Sequence, residues 1–466
     1  MAGSQPLDLT VLDQFRVAPP PESAASLTLP LTFLDLLWLH MSPVHRLIFY
    51  HHPISKTHFI DTLFPIIKNS LSKSLQHYSP LAGKLIVSSD NSILPEIRYA
   101  DGDSVPLVLA ESTLTEGDFD RLVSNGAKSC ADFHPLVPRL SPPSRNSDGS
   151  ALVPLLALQV TLFPNVGVCI GVTNHHVVGD GKTIFGFMKT WAFFAGDGDQ
   201  KVKPDSLPYF DRTELKEGRG KLETIFWENL KNLKIEDTHV DLLPTIKNKV
   251  RSTFTLTRRD IQRLKSHVIA RRPELAHVTS FTVTCSYVWN CVIRSRHVAG
   301  VYANDEEDEL FGCTADCRAR LDPPLPENYF GNCITVCYGY AKVKEQVGED
   351  GLAVAAGVIG ESIRGQLYNK DKDGVFKGAE DWFTLLSTIN MDRTLSLTGS
   401  PKFAYYGLDF GWGKPKKLEI PSIDITGAMS LSASKDAEGA LEIGLALPLT
   451  QMDAFTRFFE EGLKAL

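Results

Sequence analysis

A chain of 466 residues that is 43% hydrophobic has material for a large core and the length of two ordinary domains, so disorder is not the default. A formal net charge of -7, with no basic block, offers no footprint for a nucleic-acid backbone or an anionic membrane, and neither is expected as a partner. The opening stretch 1–17 holds Asp8, Asp13 and Arg16 and lacks the apolar run of a secretory signal, so a cytoplasmic protein is expected.

In chain order, His58 to Tyr78 repeats apolar residues at helical spacing (Phe59, Leu63, Ile66, Ile67, Leu71, Leu75), which predicts an amphipathic helix. Tyr78-Ser79-Pro80-Leu81-Ala82-Gly83 stops it with turn chemistry. The longest uncharged stretch, Ala151 to Val172, has the length of a membrane span but contains Pro154, Gln159, Thr161, Pro164 and Asn165, and reads as a buried hairpin. Val166 to Thr173 is a β-branched strand that runs into Asn174-His175-His176. Lys182 to Phe194 follows at helical spacing, with Asp180 and Gly181 just before it.

The polar, Gly- and Pro-rich stretch around Gly196 to Gly220 suggests a linker. The expected division is a domain over 1–200, a crossover over 201–230 and a second domain over 231–466. In the second half, Thr279-Ser280 precedes an apolar run from Phe281 to Ile293, and Leu352 to Leu367 reads as a helix with Val354, Val358, Ile359 and Ile363 inward. Asn304 to Glu309 is an acidic run read as a solvated loop rather than a metal site. The 8 cysteines form no CxxC pair. Cys313, Cys317, Cys333 and Cys337 could be drawn as a zinc site, but they sit in apolar, strand-like segments, and no metal is expected.

Two short constellations could do chemistry. His176 stands at a strand end with Asp180 four residues on, where a neutral imidazole can take a proton from a hydroxyl attacking a carbonyl. Roughly one HxxxD is expected by chance in such a chain, and the bland reading is a core histidine with an Asp capping the next helix. His175 is expected to be structural. In Asp409-Phe410-Gly411-Trp412-Gly413 the glycines permit close backbone approach, and the Trp412 indole N–H or the loop backbone could meet an oxyanion; the bland reading is a turn around a buried aromatic.

Together, His175 to Gly181 and Asp409 to Gly413 resemble the two signatures of the BAHD family of plant acyl-CoA-dependent acyltransferases, in matching order and separation. The resemblance spans nearly the whole chain, including Leu29-Pro30-Leu31-Thr32-Phe33, Tyr78 to Gly83 and Pro208 to Arg212. Tyr329-Phe330-Gly331-Asn332-Cys333 resembles a motif of the clade acting on anthocyanins and other flavonoid or phenolic glycosides.

The resemblance implies a two-domain mixed α/β protein of the chloramphenicol acetyltransferase type, with a solvent channel between the domains and His176 reachable from both mouths. It implies a histidine base, direct attack on the thioester in a ternary complex, and an Asp180 that faces away from the acceptor and pairs with Arg318. Thr279 and Ser280 match a position that meets coenzyme A, against the bland reading of a helix cap. Tyr329, Asp409 and Gly411 are candidates for substrate contact. No tightly bound cofactor is implied, and a monomer is expected.

Arg271-Arg272-Pro273, His277 to Phe281 and Arg318-Ala319-Arg320 look most like malonyltransferases acting on phenolic or flavonoid glucosides, so malonyl-CoA is the expected donor. A buried malonyl carboxylate needs a cationic partner; Lys182 is one candidate. A hydroxycinnamoyl donor is the alternative within the clade. A carrier-dependent condensation-type domain and a non-catalytic binding protein are the alternatives outside it.

Overall fold

A computed structural model describes residues 7–196, 206–216, 220–233, 246–369 and 374–466. Three sheets organise them. In the first, Leu9–Val17, Val105–Ser112, Leu156–Phe163, Gly167–Asn174, Val44–His51 and Lys417–Glu419 lie side by side in that order. Leu156–Phe163 and Gly167–Asn174 form the expected hairpin, antiparallel from Leu156↔Asn174 to Phe163↔Gly167. Every residue of both strands is buried, because one apolar core with Ile67, Leu71 and Ile184 packs on one face and another with Phe119, Leu122 and Phe133 on the other. That explains their length and near-continuous apolar character. Among the described residues no helix is long and apolar enough to cross a membrane.

The second sheet orders Ile334–Lys342, Asp308–Asp316, Thr394–Thr398, Met429–Ala433, Leu441–Pro448, Lys249–Leu256 and Lys128–Ser129. A third, of shorter strands, holds Leu27–Pro30, Glu96–Tyr99, Lys84–Val87, Ala151–Pro154 and Ser144–Arg145. The halves of the chain exchange strands: Lys417–Glu419 pairs with Val44–His51, and Lys128–Ser129 pairs with Lys249–Leu256. One apolar core gathers the first half together with Cys317, Tyr329, Phe330, Cys333, Leu408 and Phe410 from the second, and another lies wholly in the second half around the helix Ser280–Val298.

Several expectations need correction. The predicted helix from His58 is broken into Lys56–His58, a wider π-turn Phe59–Leu63 and Phe64–His77, and Ile66 faces solvent because the π-turn adds a residue to the period. In Gly351–Leu367 Ile359 and Ile363 face inward as expected, but the rest of the buried face is small, Ala353, Ala355, Ala356 and Gly360, while Val354 and Val358 are only partly covered. The acidic run is not wholly solvated: Glu309 is buried, accepting two hydrogen bonds from Arg296 at 2.9 and 2.7 Å. Parts of the expected linker, 197–205 and 217–219, lie outside the described residues; beyond them, Gly220–Leu230 is a helix that buries Phe226, Trp227 and Leu230.

Cys313 pairs across the strands with Cys337, and the Cys317 and Cys333 sulfurs are 3.7 Å apart. Four residues of strand, about 13 Å, separate the two pairs, too far to share one ion.

Candidate active site

The strand Gly167–Asn174 leaves the sheet directly into His175 and a short 3-10 turn, His176–Val178, which puts the two rings in different surroundings. His175 is buried, and its Nδ1 accepts the Val177 N–H at 3.3 Å, so the proton sits on Nε2 and the ring caps the turn. His176 is partly buried. Trp38 stacks on it, centroids 3.8 Å apart and planes 13° apart. Its Nδ1 is sealed from solvent without a well-formed hydrogen bond, and no partner occupies Nε2 among the described residues. Burial is the main force that lowers the His176 pKa to about 4; Arg46 pushes the same way, while its own carbonyl, Asp180 and Asn332 offset part of the shift. At neutral pH the ring is therefore an uncharged acceptor.

Asp180 has two hydrogen-bonding tasks, neither on the imidazole, on which it acts only through its charge. Its Oδ1 accepts the Lys182 and Thr183 N–H groups at 3.1 and 3.2 Å, capping the helix Gly181–Gly196. Arg318 donates from Nη1 to Oδ2 at 2.8 Å and from Nη2 to Oδ1 at 3.1 Å, and the Cys333 N–H adds a bond to Oδ2 at 3.1 Å. Both partners of the pair are buried. Burial alone would lower the Arg318 pKa, but Asp180 raises it well above the ordinary value. The carboxylate fixes the loop that carries His176, and its oxygens are taken up by the helix amides, Arg318 and the Cys333 N–H.

The segment Tyr329 to Cys333 is stitched onto the same loop. Gly331 O accepts from the Thr183 hydroxyl at 3.1 Å and the Gly331 N–H donates back to it at 3.2 Å. Gly331 has φ of 137°, and a Cβ there would lie 3.2 Å from the Arg212 guanidinium, so the position favours glycine. Asn332 donates from Nδ2 to the carbonyls of His176, at 3.0 Å, and Val177, at 3.4 Å. Behind it lies Asp35, which accepts the Asn332 N–H and Nδ2 at 3.0 Å each and the Arg212 Nη1 at 2.7 Å. The quoted segments around residues 30, 176, 210 and 331 thus converge on one buried network behind the histidine.

The remaining candidates fall elsewhere. Trp412 packs against Tyr50, at 5.4 Å, and His52, at 6.0 Å. Tyr50 pairs with Val168, eight residues before His176, so the indole is on the order of 20 Å from the imidazole. A second ruler agrees: a Cβ on Gly196 would meet Asp409 O at 3.3 Å, whereas Asp180 caps the opposite end of that 16-residue helix, about 24 Å away. Trp412 is therefore not placed to stabilise an oxyanion beside His176, nor Asp409 and Gly411 to touch a substrate there. Asp409 instead accepts the Gly411 and Gly413 N–H groups at 2.8 and 2.9 Å and closes its own loop.

Tyr329, expected at the substrate, is 1% exposed and lies under the Arg318 guanidinium. Lys182 is spent on Asp316, at 3.2 Å, and Glu327, at 3.5 Å. Thr279 caps the helix Ser280–Val298 through the Thr282 N–H at 3.1 Å, leaving Ser280 exposed at the helix start. Trp38, Asp35 and Arg46 are the site residues that sequence reasoning missed. Only Asp35 had a signal, the Thr32-x-x-Asp35 capping box.

A family profile described as "Transferase family" matches residues 7–462. The chain is 44% identical over 462 residues to phenolic glucoside malonyltransferase 1 of Nicotiana tabacum, covering 98% of this chain and 100% of that one. It is 42% identical over 466 residues to malonyl-coenzyme A:anthocyanin 3-O-glucoside-6''-O-malonyltransferase of Dahlia pinnata, covering 98% of each. The crystal structure of vinorine synthase shares the fold, with a TM-score of 0.69 at 20% identity over 96% of each chain. With a full-length family match and this two-domain α/β architecture, the chain belongs to the BAHD family of acyl-CoA-dependent acyltransferases.

Proposed function

We propose that the chain transfers a malonyl group from malonyl-CoA to a sugar hydroxyl of a flavonoid, anthocyanin or phenolic glucoside, with His176 as general base and Asp180 as its positioning residue. The observation that carries the base assignment is the neutral imidazole whose Nε2 meets no partner among the described residues while its carboxylate neighbour is consumed by Arg318. Nε2 takes the proton from the acceptor hydroxyl as its oxygen attacks the thioester carbonyl, and the collapsing tetrahedral intermediate expels the CoA thiolate, which recovers that proton. No acyl-enzyme forms, so donor and acceptor are bound together, reaching the ring through a channel between domains 1–200 and 231–466 bridged by 201–230. The high identity to the two malonyltransferases supports the donor and the acceptor class. Ser280, at the free amides of a long helix, is the proposed contact for CoA, with Thr279 shaping that end. We place the reaction in the cytosol, carried out by a monomer.

The test offers purified protein malonyl-CoA, coumaroyl-CoA and acetyl-CoA with a panel of flavonoid and simple phenolic glucosides, following thiol release and product mass. Release with malonyl-CoA that requires the acceptor is expected, reduced roughly 10²- to 10⁴-fold in His176→Ala. Release confined to coumaroyl-CoA would replace the donor, and a fully active His176→Ala would remove the base.

A further inference from the structure

A malonyl donor brings a carboxylate one methylene from the carbon under attack, so the cation that receives it must lie beside His176 and be largely withdrawn from water. Charge buried in a protein is normally paired, because desolvation otherwise opposes it. The buried arginines follow this rule: Arg212 pairs with Asp35, Arg251 with Glu419 and Asp424, Arg296 with Glu309 and Arg318 with Asp180. Arg46 is the exception. It is 7% exposed, and among the described residues it meets no carboxylate, its hydrogen bond being to the uncharged Asn174 Oδ1 at 2.8 Å.

Its position is set by the sheet. Val44–His51 runs antiparallel to Gly167–Asn174 with Arg46 opposite Val172 and Val44 opposite Asn174, so the Arg46 side chain leans along the strand toward its end, where His175 and His176 begin. Asn174 holds it there, since its Nδ2 donates to His175 O at 3.2 Å and leaves Oδ1 for the guanidinium. The same cation is one of the charges that disfavours protonation of His176. Among the described residues the Arg46 side chain bonds through Nη1 alone, so Nε and Nη2 remain as donors for a guest.

We infer that Arg46, oriented by Asn174, is the residue that binds the carboxylate of the acyl donor. The assignment rests on the malonyl-CoA reading above. A guanidinium with two free donors suits a carboxylate, which it can grip with paired bonds that fix the thioester carbonyl over Nε2. It also explains why the cation meets no carboxylate among the described residues: a resident carboxylate would compete with the substrate's own.

The readout is the ratio of kcat/KM for malonyl-CoA to that for acetyl-CoA, which lacks the carboxylate. Arg46→Gln keeps a donor but not the charge and should lower this ratio about 100-fold. Asn174→Asp leaves Arg46 in place but gives it an internal carboxylate, and should lower the ratio in the same sense; it serves if Arg46→Gln does not fold. Thermal melts identify which variants are folded. Equal losses with both donors, or an unchanged ratio, in a folded variant would overturn the role of Arg46 while leaving the wild-type malonyl activity standing. A wild-type enzyme inert with malonyl-CoA yet active with coumaroyl-CoA would overturn the donor reading, and this inference with it.

Discussion

The indole of Trp38 lies flat on the imidazole of His176, centroids 3.8 Å apart and planes inclined by 13°. The contact removes one face of the ring from water, and burial is the largest contribution to its lowered pKa of about 4. Trp38→Ala should rehydrate the ring and raise that pKa toward the ordinary 6.5. A base is active when unprotonated, so the acid limb of kcat/KM against pH should move upward, and the variant should lose more activity at pH 5.5 than at pH 8. Trp38→Phe should keep most of the shift. An acid limb that stays put in Trp38→Ala would show that the stack packs the site without tuning it.

Asp180 acts on the same titration with the opposite sign. Its charge raises the His176 pKa, so Asp180→Asn should move the acid limb downward, a readout that a purely structural residue would leave unmoved. The variant also strands the buried Arg318 without its main counter-ion, which should cost on the order of 3–5 kcal/mol of stability. Chemical denaturation and a pH–rate profile on the folded protein separate the two effects.

Much of this was legible in the sequence because local pattern and local structure agree. The β-branched run ending at Asn174 and the Asp-Gly start of the next helix place His176 and Asp180 from neighbours alone, and both elements form as expected. The partners were not legible, since Asp35 meets Asn332 across 297 positions and Trp38 reaches His176 across a layer of the fold. No period in the chain encodes such a contact. The Trp412 loop misled for a related reason: its glycines signal close approach correctly, but to the end of the helix Gly181–Gly196, at Gly196, rather than to a substrate.

Two buried histidines and the partly buried His176 make stability depend on pH. His45 is held down to about 3, and His175 and His176 to about 4, burial being the leading cause in each. Between roughly pH 6.5 and 4 the unfolded chain takes up protons on these rings that the folded chain refuses. Stability therefore rises with pH across this window and is lost as pH falls, by up to about 1.4 kcal/mol per pH unit for each ring. Melting temperatures measured from pH 7 to pH 4.5 should fall steadily, and replacing His45 by Gln should flatten the decline. A flat melting temperature over that range would mean that these rings take up protons within the fold.

The two rulers that put Trp412 some 20 Å from His176 turn its motif into a stability prediction. Its ring closes an aromatic group of Tyr50, His52, Phe59 and Phe410, while Asp409 ties the Gly411 and Gly413 amides behind it and Gly411 adopts φ of 90°, which a side chain would resist. Trp412→Ala should cost roughly 3 kcal/mol of folding free energy. An oxyanion donor would behave otherwise, its removal lowering kcat by about 10² to 10³ with little effect on folding. Measured at a temperature where the variant is fully folded, kcat should stay within about threefold of the parent while the melting temperature drops, because the lost contacts join helix to sheet and none of them reaches the reacting carbonyl.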